Sequence, residues 1–550
     1  MLSRVKKFSV YCLALALIVT AVISGWITAV SAATATTADF TQLNASQVVS
    51  EMGAGWNLGN QLEANSNGTP SETAWGNPAV TQALIQKVKA AGFKTIRIPV
   101  SYLNYLGSAP NYTINSTWLN RVKTVVDYAY NEGLYVVINI HGDGYNSVAG
   151  SWLLVNSSDQ TTIKAKYQKV WQQLANTFVN YDEHVIFESM NEVFDGNYST
   201  PNTAYYSNLN AYNQLFVDTV RQTGGNNSAR WLLVPGWNTN IDYTAGNYGF
   251  VLPTDNNRSS AIPSSEKRIM VSVHYYSPWD FSGEESGTIT QWGATATNAS
   301  KKSTWGQEDY MDAQLKSTYD KFVVQGYPVV IGEYGSIDKT AFDSANNAYR
   351  AAFAKAVSAT AKKYSSVPVY WDNGYNGQYG FGLFNRSTYA VTQQGIIDAI
   401  MSGMGSSGST GSTGIAGTYK LKNVTTGLFI DGLGRATNGS NAGQWSSSTS
   451  NNQRWVIESY GSYHKIKNVA TGLYLDGMGL TAAGSICGQW SNSTSSNQRW
   501  VFEAAGSNYR IKNVATSLYL DGGGNWSSGS DLKLWSSDTS TNLQWQLVNP

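Results

Sequence analysis

One segment near the C-terminal end of the chain is written three times over. KNVTTGLFIDGLG, Lys422–Gly434, returns as KNVATGLYLDGMG, Lys467–Gly479, and again as KNVATSLYLDGGG, Lys512–Gly524, at a step of 45 residues each time. Trp445, Trp490 and Trp535 keep that step, as do Trp455, Trp500 and Trp545. A unit of this length holds a few short strand-like runs and cannot bury its apolar side alone. An open stack of such units would need polar capping repeats at its ends. Three copies and then a stop predict instead a closed, three-fold, all-β object over residues 417–550.

The repeats are set off by SGMGSSGSTGSTGIA, Ser402–Ala416, an uncharged Gly/Ser/Thr tract that reads as a flexible linker. Upstream, short apolar runs alternate with longer amphipathic stretches. The runs are Met52–Asn57, Thr95–Val100, Tyr135–His141, Val185–Glu192, Trp231–Trp237, Met270–Tyr276, Pro328–Tyr334 and Val367–Trp371. Helical patterns fall between them at Pro78–Ala91, Trp118–Glu132, Lys164–Tyr181 and Tyr205–Gly224. Eight strand-then-helix units predict a (β/α)8 TIM barrel, an α/β domain over residues 39–401. Strands apolar along their whole length fit a parallel sheet covered on both faces.

At the other end, Arg4, Lys6 and Lys7 precede an apolar run from Phe8 to Val30 and the small-x-small sequence Val30-Ser31-Ala32. This predicts a cleaved signal peptide over residues 1–32, hence a secreted protein without a membrane anchor. Cys12 would leave with it and Cys487 would stand alone, so no intrachain disulfide is expected. Charge is balanced, with 37 Lys plus Arg against 36 Asp plus Glu, which argues against a nucleic-acid partner. Charged residues are only 13% of the chain and aromatic residues another 13%, with 34 Tyr and 19 Trp. That balance suits stacking on neutral polar ligands such as sugars, although aromatic core packing would give the same count.

In a barrel of this kind, polar groups at the C-terminal strand ends carry the chemistry. The fourth run ends Phe-Glu-Ser-Met-Asn-Glu, which puts Asn191 and Glu192 at the mouth, and the seventh ends Gly-Glu-Tyr at Glu333. Two carboxyl groups from separate strands facing one cleft are what glycoside hydrolysis requires. His141 and His274 close the third and sixth runs, whereas His184 and His464 lie elsewhere and read as structural. His141, Asp143 and His274 lack the spacing of a metal-binding motif, so neither metal nor other cofactor is expected. Arg97 ends the second run, where a fixed cation could hold a carboxylate. Trp371 ends the eighth and offers a flat face to a sugar ring. Discrimination among polysaccharides is expected from the loops around Trp56, Trp75, Trp152, Trp237 and Trp279.

The ordered set GWNLGN (Gly55–Asn60), IRIPV (Ile96–Val100), Asn191-Glu192, His274-Tyr-Tyr276, Gly332-Glu333 and Trp371 resembles glycoside hydrolase family 5 over roughly Asp39–Met401. The resemblance implies Glu192 as acid/base and Glu333 as nucleophile of a retaining mechanism. It implies that Asn191 bonds the substrate 2-hydroxyl, that Arg97 and Tyr276 hold the nucleophile, and that His141, His274 and Trp371 line the central subsite. Many cellulases of the family carry two adjacent His at the third strand end; here Gly142 follows His141.

The C-terminal pattern resembles ricin-type β-trefoil lectins, with their Gln-x-Trp signature at Gln453–Trp455 and Gln498–Trp500; Leu543 takes the Gln position in the third repeat. That likeness implies sugar contact through an Asp beside an aromatic ring, at Asp431 and Asp476, with Gln444-Trp445 and Gln489-Trp490 recurring nearby; the third repeat has Leu534-Trp535, and Asp521 is left open. The alternative is that the Asp residues tie turns and the Trp residues fill the core. Together these readings predict a secreted, monomeric endo-β-1,4-glucanase acting on β-glucan or a related plant polysaccharide, with a C-terminal carbohydrate-binding domain. Mannan, xyloglucan, xylan and mixed-linkage β-glucan remain open as substrates, and so does transglycosylation. A non-catalytic polysaccharide-binding protein is the alternative of another class.

Overall fold

The computed structural model describes residues 40–405, 415, 417–460, 463–505 and 508–550. The expected signal peptide lies outside the described residues, as does most of the expected linker. Ser402 and Gly403 are not part of a tether: they finish the helix Gln394–Gly403. Among the described residues no helix is long and apolar enough to cross a membrane.

Eight parallel strands close into a barrel: β1 (Gly55–Leu58), β2 (Thr95–Ile98), β3 (Tyr135–Asn139), β4 (Val185–Glu188), β5 (Leu232–Pro235), β6 (Ile269–Tyr275), β7 (Val329–Tyr334) and β8 (Ser366–Asp372). All eight expected runs carry one. Most strands differ from their runs by a residue or two at an end, and two differences are larger. Met52 belongs to the helix Ala45–Met52 rather than to β1, and β4 stops at Glu188, four residues short of Glu192. The segment between β4 and Glu192 is held by Ser189 N–H to the Leu233 carbonyl, which ends the ladder with β5, and by Asn191 N–H to the Ile140 carbonyl.

Helix starts are marked by side-chain caps. Asn44, Thr81, Asn115, Asp159 and Asn202 each accept a bond from a backbone N–H in the first turn of the helix that follows. Asn44 and Gln47 complete a reciprocal capping box.

Alternation along the strands divides the barrel interior into layers. Val137, Ile186, Leu233, Met270, Val330 and Val369 form one apolar cluster, closed by Val48 and Met52 of the first helix. Two residues further along their strands, towards the mouth, stand Asn139, Glu188 and Ser272, joined by Asn57 and Arg97, all fully buried. The apolar layer secures the barrel, and the polar layer above it forms the floor of the site. The intervening residues, Val136, Ile138 and Phe187 among them, pack outward under the helices in a second large cluster.

The C-terminal region is all-β and three-fold. Six strands form a ring in which Gly417–Asn423 pairs with both Trp455–Tyr460 and the last strand, Gln544–Val548. The ring continues through Tyr463–Asn468, Trp500–Ala505 and Asn508–Asn513 back to that last strand. The third repeat thus closes on the first, which is why no capping unit is needed. Trp455, Trp500 and Trp545 are fully buried, and their indole N–H groups donate to the carbonyls of Ile430, Leu475 and Leu520 at 3.0, 3.1 and 3.0 Å. Gln453 and Gln498 brace the first two repeats by donating to the Ser446 and Ser491 carbonyls. Leu543 fills the corresponding place in the third as a buried apolar residue.

Candidate active site

Arg97 is the centre of the polar layer. Its Nε donates to Glu188 Oε2 at 2.7 Å, Nη1 to Asn57 Oδ1 at 3.0 Å and to Glu333 Oε1 at 2.9 Å, and Nη2 to Asn191 Oδ1 at 2.6 Å. Burial opposes a charge here, and the two carboxylates outweigh it, so the guanidinium is held protonated beyond its ordinary range.

Glu333 therefore has one oxygen on Arg97; the other accepts from the Tyr276 hydroxyl at 3.0 Å. Glu192 faces it across the mouth. Its Oε2 accepts from the Tyr145 hydroxyl at 2.8 Å and its Oε1 lies 2.7 Å from His274 Nδ1. The same Nδ1 lies 3.6 Å from Glu333 Oε2. One oxygen of each carboxyl and this ring nitrogen all fall within 4.8 Å of one another.

The protein's own groups treat the two acids differently. Burial pushes the Glu333 carboxyl up, aided by the charge of Glu192 and resisted by His274 and Arg97. Burial also raises Glu192, but its hydrogen bond to His274, that ring's charge, Tyr145 and Arg97 bring it below the ordinary carboxylate range. His141 is held neutral: burial, with Arg97 and His274 nearby, takes it well below the usual imidazole value. Its Nε2 lies 3.2 Å from Asn191 Nδ2, which sets that nitrogen as an acceptor.

His141 and Trp371 lie nearly parallel, at 9° with centroids 6.0 Å apart. Trp371 can lie so low because residue 59 is glycine: a Cβ there would meet the indole at 2.9 Å. Gly142 has a similar reason. A Cβ would approach Ser101 Oγ to 2.6 Å, where that oxygen accepts the Gly142 N–H at 2.8 Å, so a second His cannot stand there without moving Ser101.

The structure thus brings Glu192, Glu333, Arg97, His141, Asn191, His274, Tyr276 and Trp371 to one mouth. Asp143 is not part of a metal cluster with the two His residues. Its carboxylate is spent on the backbone N–H groups of Tyr102 and Leu103 and on the Trp152 indole. The five tryptophans whose loops are expected to discriminate among substrates differ in exposure. Trp56, Trp152 and Trp237 are buried, with Trp56 donating to Asp372 at 2.9 Å, which leaves Trp75 and Trp279 as exposed rings. Glu188, Asn57 and Tyr145 were not singled out in the sequence. A Glu inside an apolar strand run was the available signal for the first, since a buried carboxylate needs a partner. Nothing marked Tyr145.

A family profile described as Cellulase (glycosyl hydrolase family 5) matches residues 34–377. The chain belongs to glycoside hydrolase family 5. Among family relatives, Endoglucanase A of Paenibacillus barcinonensis is 73% identical over 399 residues, which is 72% of this chain and 98% of that one. The barrel superposes on a solved family 5 xyloglucanase from Paenibacillus pabuli, in complex with ligand, at 79% identity and a TM-score of 0.64, covering 65% of this chain and all of the other. A broad specificity endoglucanase from Bacteroides salanitronis matches at 39% identity and a TM-score of 0.61, covering 67% of this chain and 97% of that one. Residues 409–490 and 496–550 match a profile described as Ricin-type beta-trefoil lectin domain-like. The protein is a glycoside hydrolase of the cellulase type with a lectin-like domain.

In that second domain Gln444 and Gln489 do not face a ligand. Both are fully buried and donate to the Gly522 and Gly432 carbonyls, so they join neighbouring repeats. Asp431 and Asp476 each give one oxygen to a turn, accepting from the N–H of Leu433 at 2.7 Å and of Met478 at 2.8 Å, and Asp521 does the same with Gly523. Four tryptophans among the described residues of the domain are exposed, and three of them, Trp445, Trp490 and Trp535, at 43%, 39% and 39%, stand at equivalent places in the repeats; the fourth, Trp526, has no counterpart in the other two. For the three equivalent rings the seating is the same. Each ring lies against a glycine of another repeat, respectively Gly529, Gly439 and Gly484, where a Cβ would come within 3.2, 3.3 and 3.1 Å.

Proposed function

We propose that the protein is a secreted, retaining endo-β-1,4-glucanase, with Glu333 as nucleophile and Glu192 as acid/base. The observation that carries this reading is the spacing of the two carboxyls, whose facing oxygens lie within 4.8 Å. Retaining glycosidases hold their carboxyls about 5 Å apart, whereas inverting ones need about 6.5–9.5 Å to seat a water. Glu333, fixed by Arg97 and Tyr276, attacks the anomeric carbon. Glu192 protonates the leaving oxygen and then takes a proton from the incoming water.

With only protein groups around them, His274 draws the negative charge towards Glu192, and the reaction needs the opposite distribution. The transfer is short, since His274 Nδ1 lies 2.7 Å from one carboxyl and 3.6 Å from the other. A glycosidic oxygen arriving at Glu192 replaces the His274 contact that holds that group below its ordinary range. Asn191, oriented by Arg97 and by the Tyr145 hydroxyl, is placed to bond the sugar 2-hydroxyl.

The test is proton NMR during hydrolysis of mixed-linkage β-glucan and of xyloglucan. The β-anomer should appear first and mutarotate afterwards; α-anomer first would exclude retention. Xyloglucan is included because the 79% identical solved relative is a xyloglucanase. Turnover of xyloglucan alone would replace the cellulase-type substrate while keeping the chemistry.

The trefoil is read as a polysaccharide anchor on the exposed rings of Trp445, Trp490 and Trp535, each seated on a glycine of another repeat. Weak sites joined to a catalytic domain on one chain gain through effective concentration on a polymer. Deleting Gly417–Pro550 is expected to weaken adsorption to insoluble glucan about tenfold or more and to leave kcat on soluble oligosaccharides unchanged. Unchanged adsorption would remove the anchoring role. Residues 1–32 are read as an export leader, on Arg4, Lys6, Lys7 and the Val30-Ser31-Ala32 sequence.

A further inference from the structure

Beneath the reacting groups lies a third carboxylate that the reaction scheme does not use. Glu188 ends β4, is fully buried, and has both oxygens engaged. Oε2 accepts from Arg97 Nε at 2.7 Å and from Asn139 Nδ2 at 2.9 Å, and Oε1 accepts from Ser272 Oγ at 2.7 Å. Four strands, β2, β3, β4 and β6, supply this one knot. A buried ion pair that only filled space would be a poor use of the position, because desolvating both charges can outweigh their attraction.

Geometry suggests what the pair is for. A guanidinium has a planar fork of five donors, and an anion at Nε fixes the plane. With Glu188 on Nε, the Nη1 and Nη2 groups are aimed away from it, at Glu333, Asn57 and Asn191. We propose that Glu188 is a positioning residue for hydrolysis: it sets the orientation of Arg97 and takes up part of the cation's charge before that charge reaches Glu333 and Glu192. This rests on the reading of those two as the catalytic carboxyls.

The sign follows from the charges around the pair. Glu333 faces Arg97, His274, Tyr276 and Glu192; Glu192 faces His274, Tyr145, Glu333 and, further off, Arg97. His141 lies beside Asn191 and is neutral. A nearby anion favours the protonated form of an acid, so removing the Glu188 charge lowers both catalytic carboxyls. The two limbs of the kcat/KM profile report the two ionisations of the Glu192–Glu333 pair in the free enzyme. Both limbs should move to lower pH. Arg97, no longer shared, also binds the Glu333 anion more strongly and makes it a weaker nucleophile.

The experiment compares Glu188→Gln and Glu188→Asp in the full chain, with circular dichroism and thermal melting as fold controls. Glu188→Gln removes the charge and is expected to lower kcat about tenfold or more and to move both limbs down by about one pH unit. Glu188→Asp keeps the charge but cannot reach Nε, so kcat should fall by a similar factor with the limbs unmoved. A folded Glu188→Gln whose limbs coincide with wild type would reduce Glu188 to a structural partner and overturn the proposal. If Glu188→Gln does not fold, Glu188→Asp decides: wild-type kcat there overturns it. Failure of the underlying assignment would appear elsewhere, as turnover persisting in a Glu333→Gln variant.

Discussion

Glu333→Gln is expected to lower kcat by about 10⁴-fold or more with glucan binding retained. The substitution keeps the shape of the side chain. Its carbonyl oxygen can still accept from Arg97, and its amide can donate to the Tyr276 hydroxyl, which accepts as readily as it donates. What is lost is the anionic oxygen that forms the bond to the anomeric carbon, so no glycosyl-enzyme can accumulate. Reducing-sugar release on soluble glucan reads the first effect, and calorimetric titration with a cello-oligosaccharide reads the second. Turnover above about 1% of wild type would remove Glu333 as the nucleophile.

Arg97→Met carries the largest expected cost in stability. The guanidinium answers Glu188, Glu333, Asn57 and Asn191 at once, with Glu188 wholly out of solvent. Removing it leaves two buried carboxylates without their cation, a defect worth about 3–5 kcal/mol. Arg97→Lys should recover only part of this, because an ammonium cannot serve four acceptors lying in one plane. The sign with pH is fixed. Unpaired buried carboxyls titrate above their unfolded value, so the penalty is full at neutral pH and relieved as the pH falls and they take up protons. Denaturant titrations at neutral and acid pH check both statements; a variant as stable as wild type at neutral pH would mean that the cation does not hold the layer together.

The contrast between what could and could not be read from the chain runs along this polar layer. Strand positions were legible because a doubly covered parallel sheet writes itself as unbroken apolar runs. The residues at the mouth were legible because Glu192 and Glu333 interrupt such runs at their ends. Glu188 interrupts one too, only four residues earlier, but a run read as extending to Glu192 hides where the strand stops. Beyond Glu188 the chain is held by backbone bonds to Leu233 of β5 and Ile140 just past β3, and no local pattern announces those. Gly142 could be seen as a departure from the family, and its cause, the Ser101 hydroxyl, lies 41 residues away in sequence. In the trefoil the repeat period exposed the closure at once. It could not distinguish Gln444, consumed in a joint between repeats, from Trp445 next to it, which faces outward, because neighbouring strand residues point to opposite sides.

The glycine under each of the three equivalent tryptophans has a consequence for how the lectin-like domain can change over time. Trp445 rests on Gly529, Trp490 on Gly439 and Trp535 on Gly484, so each platform is shared by two repeats. Cutting out one repeat would remove its own ring and the seat beneath another, leaving a single intact platform on an opened ring. Valency in such a domain cannot be tuned one unit at a time. It is inherited or lost as a set of three, and weakening one platform is open only to point substitution.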